Sequence, residues 1–339
     1  MKVQHEGLRE GAAGDMLAIT MIVDFIPIIF KSFNYKWLTR EMNRNLPCEL
    51  DFRQEAANLQ RCVVCLENLT KEGDLVVPSI TYTSERVLCM SFEEGVYVNE
   101  SEKLASMNLR SSDIARLISK TFCEQIFRNG FVHCDPHEAN LLVRPHPNKI
   151  GKPQIVLLDH GLYRDLGEEF KSHYCRLWRG IIQSDETEIK KECEYLHAGN
   201  MYTLLAAMLT MRPWDDIVSK DINKLKSNAT KAESQMLKAY AVKYFREVVS
   251  LLGNVPSNLL LVFKTNDCLR HLDRSLGVPI NTVTIIAETI ADIIFFEDIS
   301  RANGNLWKIY EAIVSYSHMM LRVIGMKFIA IFIEFFNFF

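Results

Sequence analysis

The sequence predicts an α+β chain in which a small mixed part is followed by a large helical part, and three observations predict it. Residues 75–98 hold two short β-rich runs, Leu75 to Thr83 and Arg86 to Phe92, joined by Ser84-Glu85. Runs rich in β-branched and aromatic residues, bounded by turn formers, read as an antiparallel pair. From Ser111 onward, apolar residues return at helical spacing almost to the end of the chain. The exception is the third observation: between residues 131 and 161 short apolar runs end in Asp, Asn and His. A chain of 339 residues is long enough for one large domain or two.

Taken in order, residues 1–60 are mainly helical. Met16 to Val23 is an apolar stretch, and after Trp37 the apolar Leu38, Met42 and Leu46 recur four apart. Pro47 is expected at the start of a further helix, Cys48 to Leu59, where its missing N–H does no harm. Glu94-Gly95 closes the β zone. Asp113 to Ile126 is amphipathic, with Asn129-Gly130 as its stop signal. Strands follow at Asn140 to Val143 and Ile155 to Leu158. Helices are expected near 165–183, 186–198, 200–211, 230–252, 256–275, 281–296 and from 305 to the end, with Gly253 to Pro256 as a clean break. The resulting division is residues 1–98, then 99–300, then an apolar helical tail, 301–339. This is a bilobal plan with its chemistry at the junction, where ligand sites usually lie.

Composition excludes some functions. The net charge is −3 and no Lys/Arg-rich run occurs, so a nucleic-acid partner is not expected. Nine cysteines without framework spacing read as reduced thiols inside a cell. No signal or transit segment is visible at the amino end. Residues 319–339 are strongly apolar but interrupted by Arg322, Lys327 and Glu334, which reads as a membrane-surface or core helix rather than a span.

The chemistry sits in Phe131 to Asn140 and in Asp159-His160-Gly161. Phosphoryl transfer needs one carboxylate to orient the acceptor hydroxyl, and an amide oxygen with a second carboxylate to hold Mg²⁺ on the ATP phosphates. Asp135, Asn140 five residues later, and Asp159 at the end of a short buried strand supply that set. Protein kinases write it as His-Arg-Asp-x4-Asn and Asp-Phe-Gly; here Cys134 replaces the Arg and His160 the Phe. Gly161 is expected to supply backbone freedom for the loop over the metal. Such a site also needs an ammonium on the phosphates fixed by a helix-borne Glu, and Lys2 with Glu55 are the candidates. Glu49, Asp51 and Glu55 cannot all share one helical face, whereas Asp51 and Glu55, four apart, can. His133 and His137, with Cys134 between them, invite a zinc reading, but Pro136 argues against helical alignment and no further ligands follow. Cys62-x-x-Cys65 lies in a helical stretch and reads as core.

These residues resemble the aarF-domain, or UbiB-type, atypical kinases. Glu49-Leu-Asp51 with Glu55 and Asn58 is similar to that family's Glu-x-Asp motif and helix-borne Glu. His133-x-Asp-Pro-His-x-x-Asn140 resembles its catalytic loop, Leu158-Asp-His-Gly161 its metal loop, and Lys2-Val-Gln-His5 the end of its Lys-bearing strand. The resemblance implies a protein-kinase-like bilobal fold that binds ATP and Mg²⁺, in coenzyme Q or other isoprenoid-lipid metabolism of mitochondria or plastids. It implies that Lys2 holds the phosphates, Glu55 pairs with Lys2, Asp135 is the catalytic Asp, and Asn140 and Asp159 hold Mg²⁺. Glu49, Asp51 and His133 belong to its auxiliary motifs. The implied partners are a nucleotide and an isoprenoid lipid or membrane surface.

Two departures stand out. The family's Pro-Gly before the Asn is Glu138-Ala139 here. The chain also begins at the phosphate Lys, so the nucleotide-covering strands are expected to be missing and the small lobe truncated. The alternative expectation is a catalytically silent pseudokinase scaffold. A small-molecule phosphotransferase of the aminoglycoside or choline kinase type would share Asp-x4-Asn but lack the Glu49-Leu-Asp-Phe52 helix.

Overall fold

The computed structural model describes residues 1–29, 36–219, 245–277 and 282–336. The predicted helix at 230–252 therefore lies outside the described residues over 230–244, as does the first residue of the one predicted at 281–296. The chain forms two compact units. The first comprises Met1–Ile118, Phe131–Asp165 and Arg246–Val278; the second comprises Ser119–Gly130, Leu166–Phe245 and Pro279–Phe339.

The first unit opens with strand β1, Lys2–Val3, and helices α1, Leu8–Ile29, and α2, Lys36–Glu49. Helices α3, Phe52–Cys65, and α4, Glu67–Lys71, follow. Pro47 is not at a helix start, as expected, but inside the last turn of α2. The restart comes later because Asp51 is the better signal: its carboxylate accepts from Arg53 N and caps α3. Asp51 is thus a cap outside the helix, and it does not share a helical face with Glu55. On α3, Phe52, Glu55, Ala56, Asn58, Leu59 and Cys62 are buried.

Strands β2, Leu75–Val76, β3, Ile80–Thr83, β4, Val87–Met90, and β5, Val96–Tyr97, come next. The expected antiparallel pair is β3 with β4, and Ser84 closes its turn by donating from N to Val87 O at 2.8 Å. The run before it is split. Leu75–Val76 leaves for another sheet, because Pro78 offers no N–H to continue the ladder. β1 joins the other edge of β4 with Lys2 opposite Leu88, giving the order β1-β4-β3.

Short helix α5, Ser101–Ser106, and helix α6, Ser111–Cys123, precede a π-helical turn, Glu124–Asn129, which Gly130 ends in the left-handed region at φ 64°. Strands β6, Phe131–His133, β7, Leu141–Pro145, β8, Pro153–Leu157, and β9, Tyr163–Asp165, complete the sheets. β2 pairs parallel with β8, which pairs antiparallel with β7, and β5 covers the far edge. Leu75, Leu141, Val143, Ile155, Val156 and Leu157 are almost fully buried in this sheet. β6 pairs antiparallel with β9, His133 opposite Tyr163. The unit ends with most of α11, Phe245–Asn254, and with α12, Ser257–Ser275.

The second unit is helical: α7, Glu168–Gln183, α8, Glu186–Tyr195, α9, Tyr202–Thr210, α10, Trp214–Val218, α13, Thr282–Ala302, and α14, Leu306–Phe336. Phe170, Tyr174, Leu177, Trp178 and Ile181 form the buried stripe of α7, and Tyr174 stacks on Phe127 at 5.5 Å. Ala312, Met319, Val323 and Met326 are the buried face of α14, which packs along α13.

Among the described residues, one helix is long and apolar enough to cross a membrane by length and composition: Leu8–Ile28 in α1, not the carboxyl-terminal stretch. Met16 and Val23 are buried, seven apart, while Leu17, Met21, Ile22, Phe25 and Ile28 are exposed.

Candidate active site

The candidate residues converge within the first unit. Pairing of β1 with β4 sets Lys2 in extended backbone, and its Nζ lies 2.9 Å from both Glu55 carboxylate oxygens and 3.1 Å from Asp159 Oδ2. It also sits over the Phe52 ring at 5.4 Å. Burial alone would pull the Lys2 ammonium down, but the charges and hydrogen bonds of Asp159 and Glu55 outweigh it and raise its pKa. Glu55 moves the other way from what its partner alone would do. Burial and the neighbouring Asp159 charge raise it, and Lys2 only partly offsets them. Asp159 is held low: burial opposes ionisation, but the Lys2 charge, the Gly161 N–H and the Lys2 hydrogen bond prevail.

The loop after β6 is locally tied. Asp135 N donates to His133 Nδ1 at 3.0 Å, and His137 N donates to Asp135 O at 2.9 Å. Asn140 Nδ2 donates to Asp135 O at 3.0 Å, and Asn140 N to His137 O at 2.9 Å. Once its amide nitrogen is engaged, Asn140 has its amide oxygen to offer a cation. Leu158 N donates to Asn140 O at 3.0 Å, so the strands β7 and β8 bring Asn140 beside the Asp159 loop. Glu138, in the variant loop position, is held by Asn99 Nδ2 at 2.9 Å and faces His271 Nε2 at 3.5 Å.

Gly161 is needed for space rather than for special backbone freedom. It is not among the glycines of positive φ. A Cβ there would stand 3.2 Å from Asp159 Oδ1, the atom that accepts from Gly161 N at 2.8 Å. His160 fills the position of the kinase Phe as a buried, neutral ring. Its Nε2 is 3.1 Å from Leu157 O and its Nδ1 2.9 Å from the Tyr163 hydroxyl, which assigns Nε2 as donor and Nδ1 as acceptor. Burial pushes its pKa down to about 3, and that of His133 down to about 4.

Glu49 and Asp51 take different parts. Glu49 is raised by burial, with Lys264 opposing and the charges of Asp135 and Asp159 adding, so it belongs to the field of the site. Asp51 points away into a surface network with Arg53 and Glu85. Lys264 and His271 on α12 were not singled out from sequence. Lys264 Nζ lies 2.8 Å from Asp135 Oδ1. Their only signal was a spacing of seven, with Cys268 between them, on one helical face.

Asp159 and Asn140 offer oxygen donors only, which suits Mg²⁺, an ion held by one or two carboxylates together with phosphate oxygens and water. Among the described residues, no group of three His, Cys, Asp or Glu side chains forms a metal-holding cluster. Asp159 and Asn140 are the residues that would hold such an ion. In a separate concavity of the second unit, lined by Arg179, Glu188 and Asp298 among others, Arg179 bonds both Glu188 and Asp298.

Residues 1–193 match the model of the ABC1 atypical kinase-like domain. An ABC1 protein of Arabidopsis thaliana is 39% identical over 304 residues, covering 85% of this chain and 56% of that protein. AarF domain-containing protein kinase 1 of Mus musculus is 39% identical over 279 residues, covering 82% and 52%. AarF domain-containing kinase 1 of Drosophila melanogaster is 35% identical over 279 residues, covering 81% and 52%. Among solved structures, the Rv3197–erythromycin complex from Mycobacterium tuberculosis aligns with TM-score 0.60 at 15% identity, covering 85% of this chain and 70% of that one; at that identity the likeness concerns the fold. The fold is that of an atypical kinase-like protein. The chain belongs to the ABC1, or AarF-domain, atypical kinase-like family, and it spans about half the length of the curated relatives it matches.

Proposed function

We propose that this chain binds Mg-ATP and supports ATP hydrolysis or phosphoryl transfer, in isoprenoid-lipid or coenzyme Q related metabolism in a mitochondrion or plastid. The observation that carries the nucleotide reading is the convergence of Lys2, Glu55 and Asp159 from three distant stretches of chain. Lys2 binds phosphate oxygens, Glu55 fixes it, and Asp135 orients or deprotonates the acceptor. Asn140 and Asp159 would hold Mg²⁺, which when bound neutralises developing phosphate charge. The exposed apolar face of α1 supports association with an isoprenoid lipid or membrane surface. The metabolic and organellar parts rest on the family resemblance.

A second reading is a silent scaffold, supported by the ion pair of Lys264 with Asp135, which engages the acceptor carboxylate. Thermal-shift titration of the whole chain with Mg-ATP separates the two. A rise in Tm at millimolar Mg-ATP, lost in Asp159→Asn, is the expected result; no rise in the unsubstituted chain overturns nucleotide binding.

A further inference from the structure

The geometry points to Lys264 as the residue that recognises the terminal phosphoryl group of the nucleotide, moving off Asp135 as it does so. This rests on the Mg-ATP reading above and adds a residue from outside the loops that carry the motif.

Helix α12 presents Lys264, Cys268 and His271 on one face, spaced four and three apart. That face spans the catalytic loop. Lys264 Nζ is 2.8 Å from Asp135 Oδ1, His271 Nε2 is 3.5 Å from Glu138 Oε1, and the Asp135 charge raises the Cys268 thiol after burial does. Glu49 is raised by burial first, with Lys264 lowering it and the charges of Asp135 and Asp159 raising it further. Lys264 therefore pairs with the carboxylate of Asp135, as Lys2 pairs with those of Glu55 and Asp159. The two ammonium groups divide the site.

Their division has a chemical meaning. Lys2, on Asp159, stands on the metal side of the phosphates. Asp135 is where the acceptor oxygen must sit, and reacting atoms approach to roughly 3–3.5 Å. A cation bonded to Asp135 is then within reach of the terminal phosphoryl group but stands apart from Lys2. Among the described residues, Lys264 is the one lysine or arginine paired with Asp135; His137 Nε2 lies 3.7 Å away. The Lys264 side chain is 47% exposed, so its ammonium can reorient on a fixed helix without backbone movement. Without nucleotide it pairs with Asp135. A triphosphate carries more charge at this point than a diphosphate and draws the ammonium away, which frees Asp135 for the acceptor.

Calorimetric titration of the whole chain with Mg-ATP and with Mg-ADP tests this. The unsubstituted chain should bind ATP more tightly than ADP. Lys264→Ala should lose about tenfold in ATP affinity with ADP affinity changed less than about twofold, and Lys264→Arg should keep the preference. Asp135→Asn, which removes the competing carboxylate, should leave ATP binding unchanged or tighter. Equal loss of ATP and ADP in Lys264→Ala overturns the assignment, as does weakened ATP binding in Asp135→Asn. Absence of binding by the unsubstituted chain overturns the nucleotide reading and this assignment with it.

Discussion

Asn58 donates from Nδ2 to the backbone carbonyl of His160 at 3.0 Å, so helix α3 is fastened directly to the loop that carries Asp159. Asn58 is buried and its Oδ1 accepts from Gln54 Nε2 at 3.2 Å. Replacing it with Leu leaves the His160 carbonyl without this donor in a buried setting. Urea denaturation should record a loss of about 1–3 kcal/mol. An unchanged midpoint would show that the bond contributes nothing to the fold.

Gly161→Ala should separate binding from folding. The added methyl stands 3.2 Å from Asp159 Oδ1, closer than ordinary van der Waals contact, and disturbs the oxygen that Gly161 N holds. The expected outcome is a lost or strongly reduced Mg-ATP thermal shift with circular dichroism unchanged. A full shift in the variant would remove the steric account of this glycine.

Acid should destabilise the first unit through two histidines. His133 and His160 are buried neutral, with pKa values pushed down to about 4 and about 3 by burial. An unfolded histidine titrates near 6.5. Stability from both rings is therefore fully present above about pH 6.5 and declines as pH falls toward 4 and 3. The slope is roughly 1.4 kcal/mol per pH unit for each ring while only the unfolded chain gains the proton. Asp159, held low, adds to the acid loss, whereas Glu55 and Glu49, held high, oppose it. Stability measured from pH 7 to 5 should fall, and should fall less in His160→Phe; a flat profile contradicts the buried neutral pair.

Thiol chemistry should sort the nine cysteines by depth. Cys48 is exposed, while Cys62, Cys123, Cys134, Cys175 and Cys193 are buried. Burial pushes Cys62, Cys175 and Cys193 up to about 12, which removes the reactive thiolate. An aromatic disulfide reagent on the native chain should react fastest at Cys48. The five buried thiols should require denaturant, and rapid modification of Cys62 would contradict its depth.

The candidate catalytic loop was legible because each of its parts has a local reason. Asn129-Gly130 ends a helix, β6 and β8 are apolar, and Asp135, Asn140 and Asp159 fall at strand ends. The Lys2–Glu55 pair was legible only by chemical requirement, since 53 residues separate the partners and no local pattern links them. Asp51 was misread because its spacing from Glu55 suits a shared helical face, yet its capping bond to Arg53 N takes it out of the helix. Gly161 was assigned to backbone freedom when close approach to Asp159 accounts for it. Lys264 lay beyond reach because a lysine on a polar helical face reads as solvated until the helix is seen against Asp135. In α1, apolar periodicity was visible, but its exposure could be learned only from what packs against it.

The hydrogen bonds among His133, Asp135, His137 and Asn140 close on one another within eight residues. The loop is therefore a clip closed largely by its own residues, with Leu158 and Lys264 holding it from outside. For protein engineering, this segment should be exchanged as a block between relatives rather than residue by residue. An exchange that brought Pro-Gly in place of Glu138-Ala139 would keep the clip shut but leave Asn99 and His271 without the carboxylate they now face.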